Sequence, residues 1–196
     1  MRFIRSFIII MLLLVSAGSS HAQWLQRFDD NTLIDIQQRR TPEKTGFFMF
    51  MSNTNDYVDI GVPAGLLVAG TINNDKGMRE NAAFVASSTA LSVGVTLLLK
   101  HIIKRPRPFV QNINIVPVYR AADTSFPSGH TSTAMSTATA LSMAYPKWYV
   151  IAPVFLWAGT VGYSRMYLGV HYPTDVAAGT AVGVGSALSM SFMKVK

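Results

Sequence analysis

The stretch Asn81–Leu99, NAAFVASSTALSVGVTLLL, contains no charged side chain. A basic residue, Lys100, follows it directly. A helix that crosses a bilayer needs about 17 to 25 mainly apolar residues. The stretch therefore predicts a membrane-spanning helix that ends beside positive charge.

Further uncharged blocks continue this pattern along the chain. They cover residues 60–74, 124–146, 148–164 and 176–193. Ala, Ser, Thr and Gly are frequent in them, and such small residues allow membrane helices to pack closely. We predict an all-α, membrane-embedded bundle of about five transmembrane helices. The buried helices of a soluble all-α protein are the alternative.

The composition excludes several classes of protein. Of the 196 residues, 49% are apolar and 14% are charged, whereas disordered chains combine low hydrophobicity with high charge. The absence of Cys excludes disulfide frameworks, thiolate zinc sites and cysteine nucleophiles. The formal net charge of +7 suits nucleic acid, anionic lipid or phosphate as a partner.

The N-terminus has the features of a secretory signal. Arg2 and Arg5 provide positive charge, and Phe7–Val15 (FIIIMLLLV) is a short apolar segment. The small residues of Ser20–Ala22 form a cleavage site. We predict a cleaved signal peptide at residues 1–22, with an uncleaved membrane anchor as the alternative.

The rest of the chain divides into two parts. Residues 23–56 are polar, and one amphipathic helix is predicted around Asn31–Gln38. Residues 57–193 contain the uncharged blocks and are predicted to form the functional domain. If residue 23 lies outside the membrane, the alternating spans place Lys147 and the Lys194–Lys196 tail in the cytoplasm, as the positive-inside rule expects.

The first motif is a cluster of cations that directly follows the uncharged stretch Asn81–Leu99. Lys100, Lys104 and Arg107 share one helical stripe if the helix continues, although Pro106 and Pro108 place Arg107 at or beyond its end. Such cations can hold an anion, and Arg suits bidentate contact with phosphate. Alternatively, they form a cytosolic anchor or compensate a helix dipole.

The second motif is Pro127-Ser128-Gly129-His130. We predict a tight turn that enters a helix at Thr131, where free backbone N–H groups bind anions. Ser128 adds a hydroxyl donor, and His130 can titrate near neutral pH. A simple helix cap is the alternative.

The third motif runs from Ser164 to Asp175. Pro173 suits the first turn of a helix, so His171 lies in the preceding loop with Asp175 close to it. The carboxylate can fix the imidazole tautomer and leave the other ring nitrogen free to attack. Alternatively, Asp175 is only a favourable charge at a helix N-terminus.

Together these segments form a pattern that chance does not assemble. The sequence resembles the type 2 phosphatidic acid phosphatase family, part of the phosphatidic acid phosphatase/haloperoxidase superfamily. The eleven matching residues are Lys100, Arg107, Pro108, Pro127, Ser128, Gly129, His130, Ser164, Arg165, His171 and Asp175.

The resemblance implies hydrolysis of a phosphate monoester or pyrophosphate with neither a metal nor another cofactor. His171 would attack phosphorus and become phosphohistidine, and Asp175 would orient it. His130 would protonate the leaving oxygen and then activate water. The residues that would hold the phosphoryl oxygens are Lys100, Arg107, Ser128, Gly129 and Arg165.

The resemblance also implies the partners and the location. Bacterial membrane members of the family act on undecaprenyl pyrophosphate, lipid A phosphates, phosphatidylglycerophosphate or phosphatidate. Of these substrates, we rank undecaprenyl pyrophosphate and lipid A phosphates first. We expect a bacterial cell membrane protein that contacts membrane lipids, with its active site facing the periplasm or exterior.

Other classes of protein remain as alternatives. A soluble secreted non-specific acid phosphatase has the same catalytic set, and a vanadium haloperoxidase has similar oxyanion ligands in a longer chain. A membrane scaffold without enzymatic activity is a third alternative. Nucleic-acid binding is disfavoured because the cations cluster at the phosphate motifs rather than along an exposed helix.

Overall fold

The computed structural model describes residues 23–195, and the regular structure of this part is entirely helical, as predicted. The helices are α1 (residues 23–38), α2 (Pro42–Asn53), α3 (Asn55–Ile72), α4 (Lys76–Ile103), α5 (Pro108–Gln111), α6 (Gly129–Ala144), α7 (Trp148–Tyr167) and α8 (Pro173–Ser189), followed by a 3-10 turn at Ser191–Met193. The predicted signal peptide lies outside the described residues.

Helix α6 is at the centre of the bundle, packed against α4, α7 and α8. Its Ala134 and Ala138 are buried against Ala158 and Val161 of α7. These short side chains let the helix axes approach closely, which is the packing that small residues provide in membrane helices.

Buried hydroxyl groups add polar contacts between α4 and α6. Thr96 Oγ1 donates to Ser132 Oγ at 2.9 Å, and Ser92 Oγ also contacts this oxygen. Thr89 Oγ1 and Thr137 Oγ1 are 3.0 Å apart. A polar group in an apolar interior is costly unless it is hydrogen-bonded, so these pairs fix how the two helices are aligned.

The outer faces of the helices carry large apolar side chains. Exposed aliphatic examples on α3, α4, α7 and α8 are Ile60, Val68, Ile72, Leu97, Leu98, Ile102, Leu156 and Leu188. In the described chain, two helical stretches are long and apolar enough to cross a membrane, Lys76–Gln111 and Pro173–Met193. The five predicted spans correspond to α3, α4, α6, α7 and α8, but their number stays a prediction.

Two helix boundaries differ from the sequence prediction. α6 begins at Gly129 rather than at Thr131, because Ser128 is the N-cap and its carbonyl accepts the Ser132 N–H at 3.0 Å. His130 is therefore in the first turn of α6. The amphipathic helix predicted around Asn31–Gln38 is present and starts earlier, at residue 23.

Glycine residues on α8 determine how closely this helix approaches α6. A Cβ atom at Gly183 would lie 2.3 Å from the carbonyl oxygen of Ser132 and 2.8 Å from the backbone nitrogen of Ser136. A Cβ atom at Gly179 would lie 2.6 Å from the Ser128 carbonyl oxygen. A larger side chain at either position forces the two helices apart.

We expect Gly183→Val to lower the melting temperature in detergent by several degrees, because overpacking a close contact costs about 1–3 kcal/mol. Gly185→Val is the matched control, since a Cβ atom there meets nothing within 4 Å. Equal losses in the two variants would show that the close α6–α8 contact does not determine stability.

Candidate active site

The first cationic motif lies where α4 ends and the chain changes direction. α4 ends at Ile103, and Lys104 adopts a left-handed conformation with φ 49°. Arg107 consequently lies beyond α4, as the N-cap of α5. This position beyond the helix is the one that Pro106 and Pro108 predict, and the stripe of Lys100, Lys104 and Arg107, which required the helix to continue, is not formed.

Lys100 and Arg107 nevertheless meet at the carboxylate of Asp123. Lys100 Nζ is 2.9 Å from Asp123 Oδ2, and Arg107 Nη2 donates to Asp123 Oδ1. Arg107 Nε also donates to the Asp123 carbonyl at 2.9 Å. The two cations thus converge on one anionic group, which is the arrangement that binds the oxygens of a phosphoryl group.

The electrostatics of Asp123 favour a carboxylate. Partial burial raises its pKa, but hydrogen bonds and charge from Lys100 and Arg107 outweigh this effect and lower the pKa to about 2. The Asp123 side chain is 59% exposed, so it can move away when another anion binds. Asp123 lies outside the motif pattern; its position just before the second motif is the one sequence signal.

The second motif forms the start of α6. The N–H of Ser128 donates to the Asp175 carbonyl at 3.0 Å, which joins this turn to the start of α8. Gly129 and His130 line a cavity of about 210 Å³ together with Lys100. The other lining residues are Asp56, Val93, Thr96, Leu97, Asp123 and Thr133. The first two motifs therefore face the same space.

His171 is buried beside the first motif, with its Nε2 3.2 Å from Arg107 Nη1. Burial is the main cause that lowers the pKa of His171 to about 3; Asp175 opposes the shift, and the charges of Arg165 and Arg107 add to it. The imidazole is therefore neutral at pH 7. A neutral imidazole has the lone pair that a nucleophile needs.

Asp175 faces the other nitrogen of this imidazole. The distance from His171 Nδ1 to Asp175 Oδ2 is 3.7 Å, longer than a hydrogen bond. Within the described residues, Nδ1 has no hydrogen-bond partner. Asp175 Oδ2 accepts instead from Ser125 Oγ at 2.5 Å and from the Tyr172 N–H at 2.9 Å. The predicted pair is adjacent, but its hydrogen bond is not formed here.

Arg165 is buried near the end of α7 and is held by hydroxyl groups. Its Nη1 donates to Ser52 Oγ of α2, and its Nη2 donates to the Tyr119 hydroxyl at 2.6 Å. The Arg165 guanidinium also lies 5.7 Å from the centre of the Tyr119 ring. The motif pattern does not identify Ser52 or Tyr119, since they precede or lie between the motifs.

The Ser128 hydroxyl stays a predicted donor to a phosphoryl oxygen. It is buried and pairs with Thr131 Oγ1 at 2.8 Å, so in this structure it supports the helix start. Within residues 23–195, no group of three or more His, Asp or Glu side chains is placed to hold a metal ion.

Similarity to known proteins identifies the family of this chain. Residues 81–195 match the family model described as the PAP2 superfamily, and the chain belongs to that superfamily. All three motifs lie within the matched residues. The chain is 36% identical over 116 residues to the putative undecaprenyl-diphosphatase YbjG of Escherichia coli, covering 57% of this chain and 56% of that protein.

Other similar proteins extend the match. A lipid A 4'-phosphatase of Porphyromonas gingivalis is 30% identical over 172 residues, covering 83% of this chain and 71% of that protein. The crystal structure of Aquifex aeolicus LpxE has a TM-score of 0.68 and 28% identity, covering 81% of this chain and 91% of that one. The chain spans 56% to 65% of the undecaprenyl-diphosphatases that it matches.

We expect Asp123→Asn to strengthen inhibition by vanadate about tenfold, because the loss of a charged competitor frees Lys100 and Arg107 for the anion. Asp56→Asn is the matched control, since Asp56 lines the same cavity but has no contact with either cation among the described ion pairs. Equal effects of the two variants would mean that only the overall charge of the cavity matters.

Proposed function

We propose that the protein hydrolyses a lipid phosphate or lipid pyrophosphate through a phosphohistidine formed at His171. The observation that carries this proposal is the convergence of Lys100 and Arg107 on one anion beside the buried, neutral imidazole. Membership of the superfamily and the names of similar proteins support the phosphatase class.

Substrate binding begins with an exchange of anions. The phosphoryl oxygens replace the Asp123 carboxylate and accept hydrogen bonds from Lys100 and Arg107. The remaining donors come from the start of α6 and the end of α7, and they are Ser128, the N–H of Gly129, and Arg165. Together these groups balance the charge that grows on the oxygens during phosphoryl transfer.

In the first step, Nε2 of His171 forms a bond to phosphorus while the bond from phosphorus to the leaving oxygen breaks. His130 gives a proton to that oxygen. The phosphorylated imidazole carries positive charge, which the carboxylate of Asp175 stabilises. A shift of Asp175 by less than one ångström towards Nδ1 would complete the hydrogen bond between them.

In the second step, His130 takes a proton from water as the water oxygen attacks phosphorus. The bond between phosphorus and Nε2 breaks, and its electron pair returns to His171. Inorganic phosphate leaves, and both imidazoles regain their starting protonation states. His130 therefore acts first as an acid and then as a base, and the proton that it gives up in the first step is regained in the second.

The proposed substrate is a lipid because the cavity adjoins an apolar surface. Val93 and Leu97, which line it, are 41% and 61% exposed on α4. A lipid chain can follow this face while its phosphate reaches Lys100. We place undecaprenyl pyrophosphate and lipid A phosphates before phosphatidylglycerophosphate and phosphatidate, in agreement with the names of similar proteins.

We also propose that the site faces the periplasm or exterior. The end of α4 and the starts of α6 and α8 form the site. Lys147 and Lys194 follow the opposite ends of α6 and α8. Positive residues at those ends fit a cytoplasmic location under the positive-inside rule.

The test is phosphate release by the purified protein in detergent, after treatment with EDTA, from prenyl pyrophosphate, lipid A phosphate, glycerolipid phosphates and a soluble phosphate ester. We expect turnover of a lipid substrate without a divalent metal. His171→Ala should lower kcat by about 10³-fold or more, because it removes the nucleophile.

His101→Ala is the matched control, since His101 is exposed near the end of α4. Full activity of His171→Ala would show that His171 is not the nucleophile. Activity that returns only with added metal would overturn the metal-independent mechanism. Efficient hydrolysis of the soluble ester alone would favour the non-specific phosphatase.

A further inference from the structure

Arg105 connects Asp175, at the start of α8, to the N-terminal helix α1, although Arg105 lies outside the motif pattern. Its Nη1 donates to Asp175 Oδ1 at 2.8 Å, and its Nη2 donates to Asp29 Oδ2 at 2.8 Å. The Arg105 guanidinium lies over the ring of Tyr172, 3.9 Å from the ring centre. One planar cation therefore bridges two carboxylates from distant parts of the chain.

Asp29 is the end of this bridge that lies outside the motifs, and like Asp175 it is fully buried. It lies on α1, and its Oδ1 accepts the backbone N–H of Thr174 at 3.1 Å. The Thr174 hydroxyl donates to Asp29 Oδ2. Thr174 is in the first turn of α8, one residue before Asp175. Asp29 thus holds Arg105, which binds Asp175, and also the backbone at Thr174, next to Asp175.

Apolar contacts also hold α1 beside the start of α8. Leu33 of α1 is buried in a cluster with Ile115 and Tyr172, so Tyr172 contacts both α1 and Arg105. α1 lies outside the matched residues 81–195. The helix therefore supplies contacts to the site that the matched residues do not contain.

The charges explain why a second carboxylate is needed. Arg105 paired with Asp175 alone would cancel the negative charge that faces His171. With Asp29 included, the group of two carboxylates and one guanidinium keeps a net charge of −1. A net negative charge close to His171 favours the cationic phosphorylated imidazole over the neutral one.

We propose that Asp29 and Arg105 are positioning residues that act on His171 through Asp175, so that docking of α1 completes the active site. This inference rests on the proposed phosphohistidine mechanism. Because the described contacts of Asp29 and Arg105 do not include Lys100 or Arg107, the two residues affect phosphoryl transfer rather than phosphate binding.

The experiment compares Asp29→Asn with Asp35→Asn, which removes the same charge from an exposed position of α1. Turnover is measured in detergent with the best lipid substrate of the wild type. Asp29→Asn should lower kcat by about tenfold to a hundredfold, the size of loss that follows when the outer partners of metal-binding histidines are removed. KM and vanadate inhibition should stay within about twofold.

A double-mutant cycle with Asp175→Asn separates positioning from general destabilisation. If Asp29 acts through Asp175, Asp29→Asn causes no further loss in the Asp175→Asn background. A purely structural role predicts the same fold loss in both backgrounds. Arg105→Lys keeps the charge but loses the planar fork, and it replaces Asp29→Asn in the cycle if that variant does not fold.

The outcomes separate this inference from the proposed function. Equal kcat for Asp29→Asn and Asp35→Asn, or additive losses in the cycle, would overturn the positioning role while leaving the phosphohistidine mechanism standing. Turnover by His171→Ala would overturn the mechanism and this inference together. A selective, non-additive loss in kcat supports both.

Discussion

The close contact between α6 and α8 is the constraint on which the site depends. Gly179 and Gly183 have no side chain that would separate the helices, so their N-terminal ends lie side by side. The Ser128 N–H can then reach the Asp175 carbonyl. This single backbone contact joins the turn that carries His130 to the loop that carries His171.

Buried charge is the second constraint, because cations within a helical bundle need anionic or polar partners. Arg165 is held by hydroxyl groups, and Arg105 is held by two carboxylates. Lys100 and Arg107 instead share Asp123, whose side chain is largely exposed. Among these cations, Lys100 and Arg107 thus have the most replaceable partner, which suits the proposed exchange of Asp123 for the phosphoryl group.

Local sequence predicted the motifs and the all-α fold, because uncharged blocks and residue spacing are visible along the chain. The residues that contact the motif side chains could not be predicted in this way, because they lie far from them in the sequence. Arg105 is 76 residues from Asp29 and 70 residues from Asp175. Even the buried Asp29 resembles a solvent-facing residue of an amphipathic helix until α1 is docked.

A structure of the protein with bound vanadate tests the central claim most directly, because vanadate adopts the geometry of phosphorus under attack. We expect vanadium bonded to Nε2 of His171, its oxygens in contact with Lys100 and Arg107, and the Asp123 carboxylate displaced. Vanadate bound away from His171, with Asp123 still joined to both cations, would contradict it.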